Sequence, residues 1–196
     1  NLGAIARSTG RSLEECAYDA LMASDGRAQL VMHSVNYARG SYDEVGEMMV
    51  HPHALVGLSD GGAHVRMICD AANPTFTLIF WGRERTRGPR LPLQDLVRMH
   101  SGALAEAYGF SDRGTLSVGK RADINVIDFA GLQLGLPYMT FDLPTGGKRL
   151  LQGARGYVAT LVKGEVTRRN DVDTGARPGR LVRDEGWHPQ PLSLAS

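Results

Sequence analysis

The chain has 196 residues, 42% apolar and 22% charged, the composition of an ordinary globular protein long enough for one or two cores. A formal net charge of +1 gives no electrostatic footing for nucleic acid or an anionic membrane. There is no run of about 18 apolar residues of the kind a spanning helix needs, and two cysteines, Cys16 and Cys69, make neither a disulfide framework nor a CxxC pair. A reducing, cytoplasmic compartment is the expectation. The chain opens Asn1-Leu2-Gly3 with no methionine and no basic-then-apolar leader, and is expected to be a piece of a longer protein.

Ser12-Leu13-Glu14-Glu15 has the pattern of a capping box, a hydroxyl at N-cap and a carboxylate at N3. Leu13, Cys16, Ala17, Ala20 and Leu21 follow on one helical face, and Asp25-Gly26 closes the helix. Ala28–Val35 is apolar and is predicted as a strand. Ser41-Tyr42-Asp43-Glu44 offers a second capping box, with Val45, Met48 and Met49 behind it and Pro52 as the stop. Ala54–Leu58, bounded by Pro52 and Gly61-Gly62, predicts a buried strand. This helix–strand alternation is the pattern of parallel α/β architecture.

Phe76–Trp81 is apolar and aromatic, and the arginine-rich stretch from Arg83 to Arg90 is predicted as a loop. Pro92 starts a helical stripe of Leu93, Leu96, Val97, Leu104, Ala107 and Tyr108 that Gly109 ends. Beyond it the texture becomes β-like: Gly114–Leu116, Ala122–Phe129, Tyr157–Val162 and Glu165–Thr167, with Lys163-Gly164 suited to a tight hairpin turn. The tail from Pro178 is predicted to be extended.

One residue stands where chemistry is expected. Asp60 follows the apolar Ala54–Leu58 run, and in a (β/α) barrel the residue at that end of a strand faces the active-site mouth. Gly61 and Gly62 let the backbone turn and leave room for a ligand. A carboxylate there can bind a metal, accept a proton from water, or both; the plain alternative is an Asp-Gly turn. His64 lies four residues on and is divided between a site role and loop packing. His51 and His53 flank Pro52 at the strand entry and read as structural or solvated. His33 reads as a satisfied strand histidine, His100 as a helix residue, and His188 lies in the tail. Arg83, Arg85, Arg87 and Arg90 read either as a solvated loop or as a grip for an anionic group. No Gly-x-Ser-x-Gly, phosphate-cradling loop or Cys/His zinc quartet is present.

Four segments carry a family resemblance. They are Gly57-Leu58-Ser59-Asp60-Gly61-Gly62-Ala63-His64; the run from Gly114 to Ile127, GTLSVGKRADINVI; Asp142-Leu143-Pro144-Thr145-Gly146-Gly147-Lys148-Arg149; and Gly156–Val166. Together they resemble the C-terminal portion of an amidohydrolase-superfamily protein of the D-aminoacylase (N-acyl-D-amino-acid deacylase) type. The resemblance implies the C-terminal part of a (β/α)8 TIM-like barrel over residues 1–112, and part of a small β-sandwich with its tail over residues 113–196. It implies one or two zinc ions, held mostly by residues outside this chain. Metal-activated water would attack an amide carbonyl, with Asp60 as acid/base and as a possible metal ligand. The substrate would be a small N-acylated molecule. The stretch Cys69-Asp70-Ala71-Ala72-Asn73 holds no arginine where characterised D-aminoacylases carry one, so Arg66 or Arg83, with His64, are the candidate substrate contacts.

A cyclic-amide hydrolase on the same scaffold, or an inert structural fragment, are the competing readings. A part-barrel also leaves unpaired strand edges. Pairing with the N-terminal part of the protein or with a second copy is therefore expected.

Overall fold

The computed structural model describes residues 1–32, 35–37, 39–57, 61–62 and 64–182. The chain divides into two compact units, Asn1–His51 and Pro52–Ser196.

In the first unit, helix α1 (Leu2–Thr9) is capped by the Asn1 side chain, which accepts from the Ala4 amide at 2.8 Å. Gly10 ends it in the left-handed conformation. Helix α2 (Leu13–Gly26) begins with the predicted capping box: Glu15 N–H donates to Ser12 Oγ at 3.1 Å, and Ser12 N–H donates to the Glu15 carboxylate at 3.0 Å. Arg11 reaches over this turn to Asp19 at 2.7 Å. Regular helix geometry stops at Ala23. The predicted apolar stripe is only partly covered: Cys16 is buried, whereas Leu13 and Leu21 are exposed.

Helix α3 (Asp43–Met49) forms where its pattern predicts but without a capping box. The helix starts one residue late, so Ser41 lies outside the N-cap and Glu44 falls at N2. Glu44 pairs with Arg39 at 3.1 Å, and Ser41 Oγ donates to the Asp43 carboxylate at 2.9 Å.

The two strands predicted on the N-terminal side do not form among the described residues. Residues 28–32 and 54–57 carry no strand pairing. A strand is stabilised by hydrogen bonds to a neighbour, and neither segment has such a ladder among the described residues. His33 and Leu58, which belong to these predicted strands, lie outside the described residues, as does Asp60.

The second unit starts its regular structure at helix α4 (Asn73–Ile79), with Pro74 in its first turn. The aromatic segment runs on from α4 into a π-helical turn, Phe80–Glu84. Arg83 and Glu84 are thus helical, not loop as predicted. Helix α5 (Leu93–His100) begins after Pro92, and α6 (Gly102–Ala107) follows. The sequence predicts one continuous helix here, but Ser101 breaks it at φ −133°, ψ −82°, its hydroxyl donating back to the Val97 carbonyl at 2.6 Å. Leu78, Ile79, Trp81, Leu96, Ala105 and Leu132 form the buried apolar centre of this unit. Arg85 is buried with them, its guanidinium 4.4 Å from the Trp81 ring centroid.

The strands among the described residues are β1 (Ile124–Ile127), β2 (Gln133–Leu134), β3 (Tyr138–Leu143), β4 (Gly147–Leu151), β5 (Ala154–Arg155), β6 (Tyr157–Val162), β7 (Glu165–Arg169) and β8 (Val172–Asp173). One sheet has the order β1-β6-β7-β8, and β2-β5 and β3-β4 are separate two-stranded pairs. All these ladders are antiparallel. The described structure is therefore a mixture of helix and strand, compatible with an α/β class. The β6–β7 hairpin turns at Lys163-Gly164 as the sequence predicts, both at positive φ (55° and 81°), with Val162 facing Glu165. Gly114–Leu116, predicted as β-like, forms no strand, and Gly114 and Thr115 are bends. Among the described residues no helix is long and apolar enough to cross a membrane.

Gly114 shows why a glycine is required at this bend. Its φ is +87°, and an added Cβ would meet Ala105 Cβ of α6 at 2.5 Å and the Gly102 Cα at 3.2 Å. Gly114→Ala is expected to cost about 1–3 kcal/mol, from the left-handed backbone and the overpacking together. Thermal unfolding should register that as a Tm drop of roughly 3–10 °C.

Candidate functional site

The segment that follows Asp60 borders a cavity. Gly61 and Gly62, then Val65, Ile68, Cys69, Asp70, Ala71 and Ala72, line one side of a space of about 560 Å3, within the range of small-molecule sites. Its other lining comes from Thr75 on α4, from β4 and β5, and from Tyr157, Thr160, Arg168 and Asp171. The cavity belongs wholly to the second unit. Asp60 itself lies outside the described residues.

Short bonds hold the lining together. The Leu150 amide donates to the Val65 carbonyl at 2.7 Å, tying β4 to the loop after Gly62. The Thr75 and Tyr157 hydroxyls share a hydrogen bond of 2.7 Å, joining α4 to β6. Asp142 on β3 and Arg149 on β4 form a bidentate pair at 2.7 and 2.6 Å. Those two residues bracket the Asp142–Arg149 sequence segment, whose Pro144–Gly146 turn makes the hairpin bend. Burial, with a further push from the Asp70 charge, holds the Cys69 thiol above its ordinary pKa, which keeps it a thiol at neutral pH.

The sequence-predicted contacts are spread out. His64 is exposed with φ 46°, and its carbonyl accepts from the Met67 and Ile68 amides at 2.8 and 3.1 Å. This bond pattern makes a turn, on which Arg66 is also exposed. Neither residue lines the cavity. Arg83 is engaged elsewhere: its guanidinium donates to the carbonyls of Phe129 (2.6 Å), Ala130 (2.9 Å) and Leu132 (2.6 Å) and to Glu84 at 3.0 Å. It clamps the β1–β2 connection onto the π-helical turn. His51 and His53 are exposed. Burial lowers the pKa of His100, whose Nε2 is buried with no hydrogen-bond partner among the described residues. His188 lies outside the described residues. Among the described residues no group of three or more His, Cys, Asp and Glu side chains is placed to hold a metal ion.

Sequence reading missed the Thr75–Tyr157 and Arg149–Asp142 pairs. The first joins residues 82 positions apart, a separation that leaves no local pattern. The second had a signal, since an acid and a base seven positions apart with a Pro-Thr-Gly-Gly turn between them is a hairpin pattern.

The Gly114–Ile127 segment has a structural centre in Asp123. Its carboxylate accepts from Arg121 Nε at 2.8 Å and from the Lys163 amide at 2.8 Å, and Arg113 lies 3.5 Å away. It thereby anchors the β6–β7 turn. Burial opposes its ionisation, but the Lys163 amide and then the Arg121 and Arg113 charges outweigh that, and the carboxyl sits below its ordinary pKa. A depressed folded pKa contributes stability that is complete above the unfolded value, near pH 4, and is lost as pH falls through the folded one. Asp123→Asn should therefore cost about 1 kcal/mol at pH 7, after discounting for partial exposure. The gap from the unsubstituted chain should narrow as pH falls below the unfolded value and close below the folded one, which urea unfolding at pH 7 and in acid measures.

No curated protein and no solved structure matches the chain. A family model does, the one described as "Amidohydrolase family", over residues 6–168. This span covers most of the sequence, including Asp60, the cavity-lining segments as far as Arg168 and the Asp123 anchor. The chain belongs to the amidohydrolase family.

Proposed function

We propose that the chain is part of a metal-dependent amidohydrolase that cleaves a non-peptide amide C–N bond, with an N-acyl (D-)amino acid as substrate. The observation that carries this reading is the family match over residues 6–168, with Asp60 in the segment Gly57–His64 inside it. Membership points to hydrolase activity, and metal binding is general in the family. Zinc as the metal, Asp60 as the reacting carboxylate and the N-acyl substrate are our assignments.

The described residues do not make a metal cage, so any zinc would need ligands beyond them. Asp60 takes a proton from the attacking water as the oxygen–carbon bond forms, then gives that proton to the departing nitrogen as the carbon–nitrogen bond breaks. The products are a carboxylic acid and a free amine. Arg66 and His64, exposed on the turn after Gly62, are the candidate contacts to substrate. Arg83 is a weaker candidate because its donors are already occupied by backbone carbonyls. We place the protein in the cytoplasm, paired with the N-terminal portion of a barrel or with a second copy.

The test is a substrate panel on the active enzyme. Release of free amino acid from N-acyl-D-amino acids, above that from dihydropyrimidines and other cyclic amides, supports the reading; the reverse preference sinks the N-acyl assignment and leaves the family intact.

A further inference from the structure

The cavity beside Gly61-Gly62 has a charge pattern of its own. Two of its charged side chains are committed. Arg149 is held bidentately by Asp142, and Asp171 accepts the Gly156 and Tyr157 amides at 3.2 and 3.0 Å. Two are not. The Asp70 side chain, on an exposed residue, makes no hydrogen bond or ion pair with any described residue, while its carbonyl accepts the Asn73 amide in the short 3-10 turn leading to α4. Arg168, on β7, gives one N–H to the Asp171 carbonyl at 2.8 Å and makes no ion pair among the described residues. Its cross-strand neighbour Asp173 is paired with Arg177 at 3.0 Å. Much of the remaining lining is apolar, including Val65, Ile68, Leu150 and Leu151.

One uncommitted carboxylate and one uncommitted guanidinium on an apolar cavity define a ligand class. A dianion would be repelled by Asp70 and a dication by Arg168, whereas an uncharged apolar molecule would use neither charge. A zwitterion with an apolar side chain answers both and uses the walls. We propose that this cavity binds a free apolar amino acid, its α-ammonium at Asp70, its α-carboxylate at Arg168 and its side chain against Val65, Ile68 and Leu150. Nothing in the family match assigns a site there. A free amino acid is also the amine product of the hydrolysis proposed above; that link to turnover rests on the proposed function, while the binding itself does not. Occupancy by product would place a product-sensing site next to the segment that carries Asp60.

The chain itself is titrated calorimetrically with leucine (both enantiomers), N-acetyl-leucine and leucinamide. Saturable leucine binding is expected, with the acetylated and amidated analogues each weaker by about tenfold, because each lacks one of the two charges. Asp70→Asn should weaken leucine by a similar factor and abolish the discrimination against N-acetyl-leucine, and Arg168→Gln should do the same for leucinamide. The analogue series on the unsubstituted chain decides the matter even if a variant misfolds. Absence of saturable leucine binding, or equal affinity for leucine and both analogues, overturns the proposal. Leucine binding by an enzyme that hydrolyses no N-acyl amino acid would leave this site standing and remove the proposed function. Hydrolysis without leucine binding would do the opposite.

Discussion

Asp60→Asn is expected to lower kcat of the active enzyme by about 10²–10⁴-fold, the usual contribution of a positioned acid/base. The substitution keeps the shape of the side chain and removes its ability to take a proton from water. Binding of substrate, reported by KM, should change far less than kcat, because the proton transfer occurs only in the transition state. The low-pH limb of the kcat/KM profile, set by protonation of this carboxylate, should disappear with it. Metal content, measured by mass spectrometry on the same preparation, supplies the second readout. Retained metal with lost turnover marks Asp60 as a proton carrier; loss of the metal along with turnover marks it as a principal ligand. A variant with near-normal kcat would remove Asp60 from the mechanism altogether.

Arg83→Ala is expected to be the most destabilising single change at a charged position in the second unit. The guanidinium satisfies the carbonyls of Phe129, Ala130 and Leu132 and lies 5.7 Å from the centroid of the Phe129 ring. Truncation leaves those acceptors to water and opens the space beside Leu132, which is fully buried. Charge-assisted hydrogen bonds of this kind are worth about 1.5–3 kcal/mol each when one partner is deleted, though shared donors do not add. A loss of about 2–4 kcal/mol follows, seen as a fall in the urea midpoint with the slope unchanged. Arg83→Lys should recover little, since a single ammonium cannot span three carbonyls as a planar fork does. If Arg83 instead gripped the substrate, its removal would raise KM and leave the urea midpoint where it was.

The arginine-rich stretch was open to two readings, a solvated loop or an anion grip, because composition carries no information about what a side chain touches. The fold supplied a third answer for Arg83, a clamp on backbone carbonyls 46 to 49 positions away. Arg85 took yet another role, buried over Trp81. The assignment of Asp60 rests on an apolar run, two glycines and the family pattern.

Local chemistry was readable without the structure. The Ser12–Glu15 capping box, the Pro92 helix start and the Lys163-Gly164 hairpin each depend on contacts within a few residues, and each formed as the sequence predicts. The motifs also carried the family, since a pattern of short segments survives without knowledge of what packs against them. What depended on distant partners was decided only by the tertiary structure. Residues 28–32 and 54–57 have the apolar composition of strands, yet a strand exists only through hydrogen bonds to a neighbour. The Asp123 anchor, the Thr75–Tyr157 bridge and the cavity with its uncommitted Asp70 and Arg168 join residues tens of positions apart. Short-range sequence signals sufficed for the Ser12 cap, the Pro92 helix start, the hairpin turn and the family; tertiary contact alone set which charges are spent on the fold, because neutralisation depends on distance in space and not along the chain.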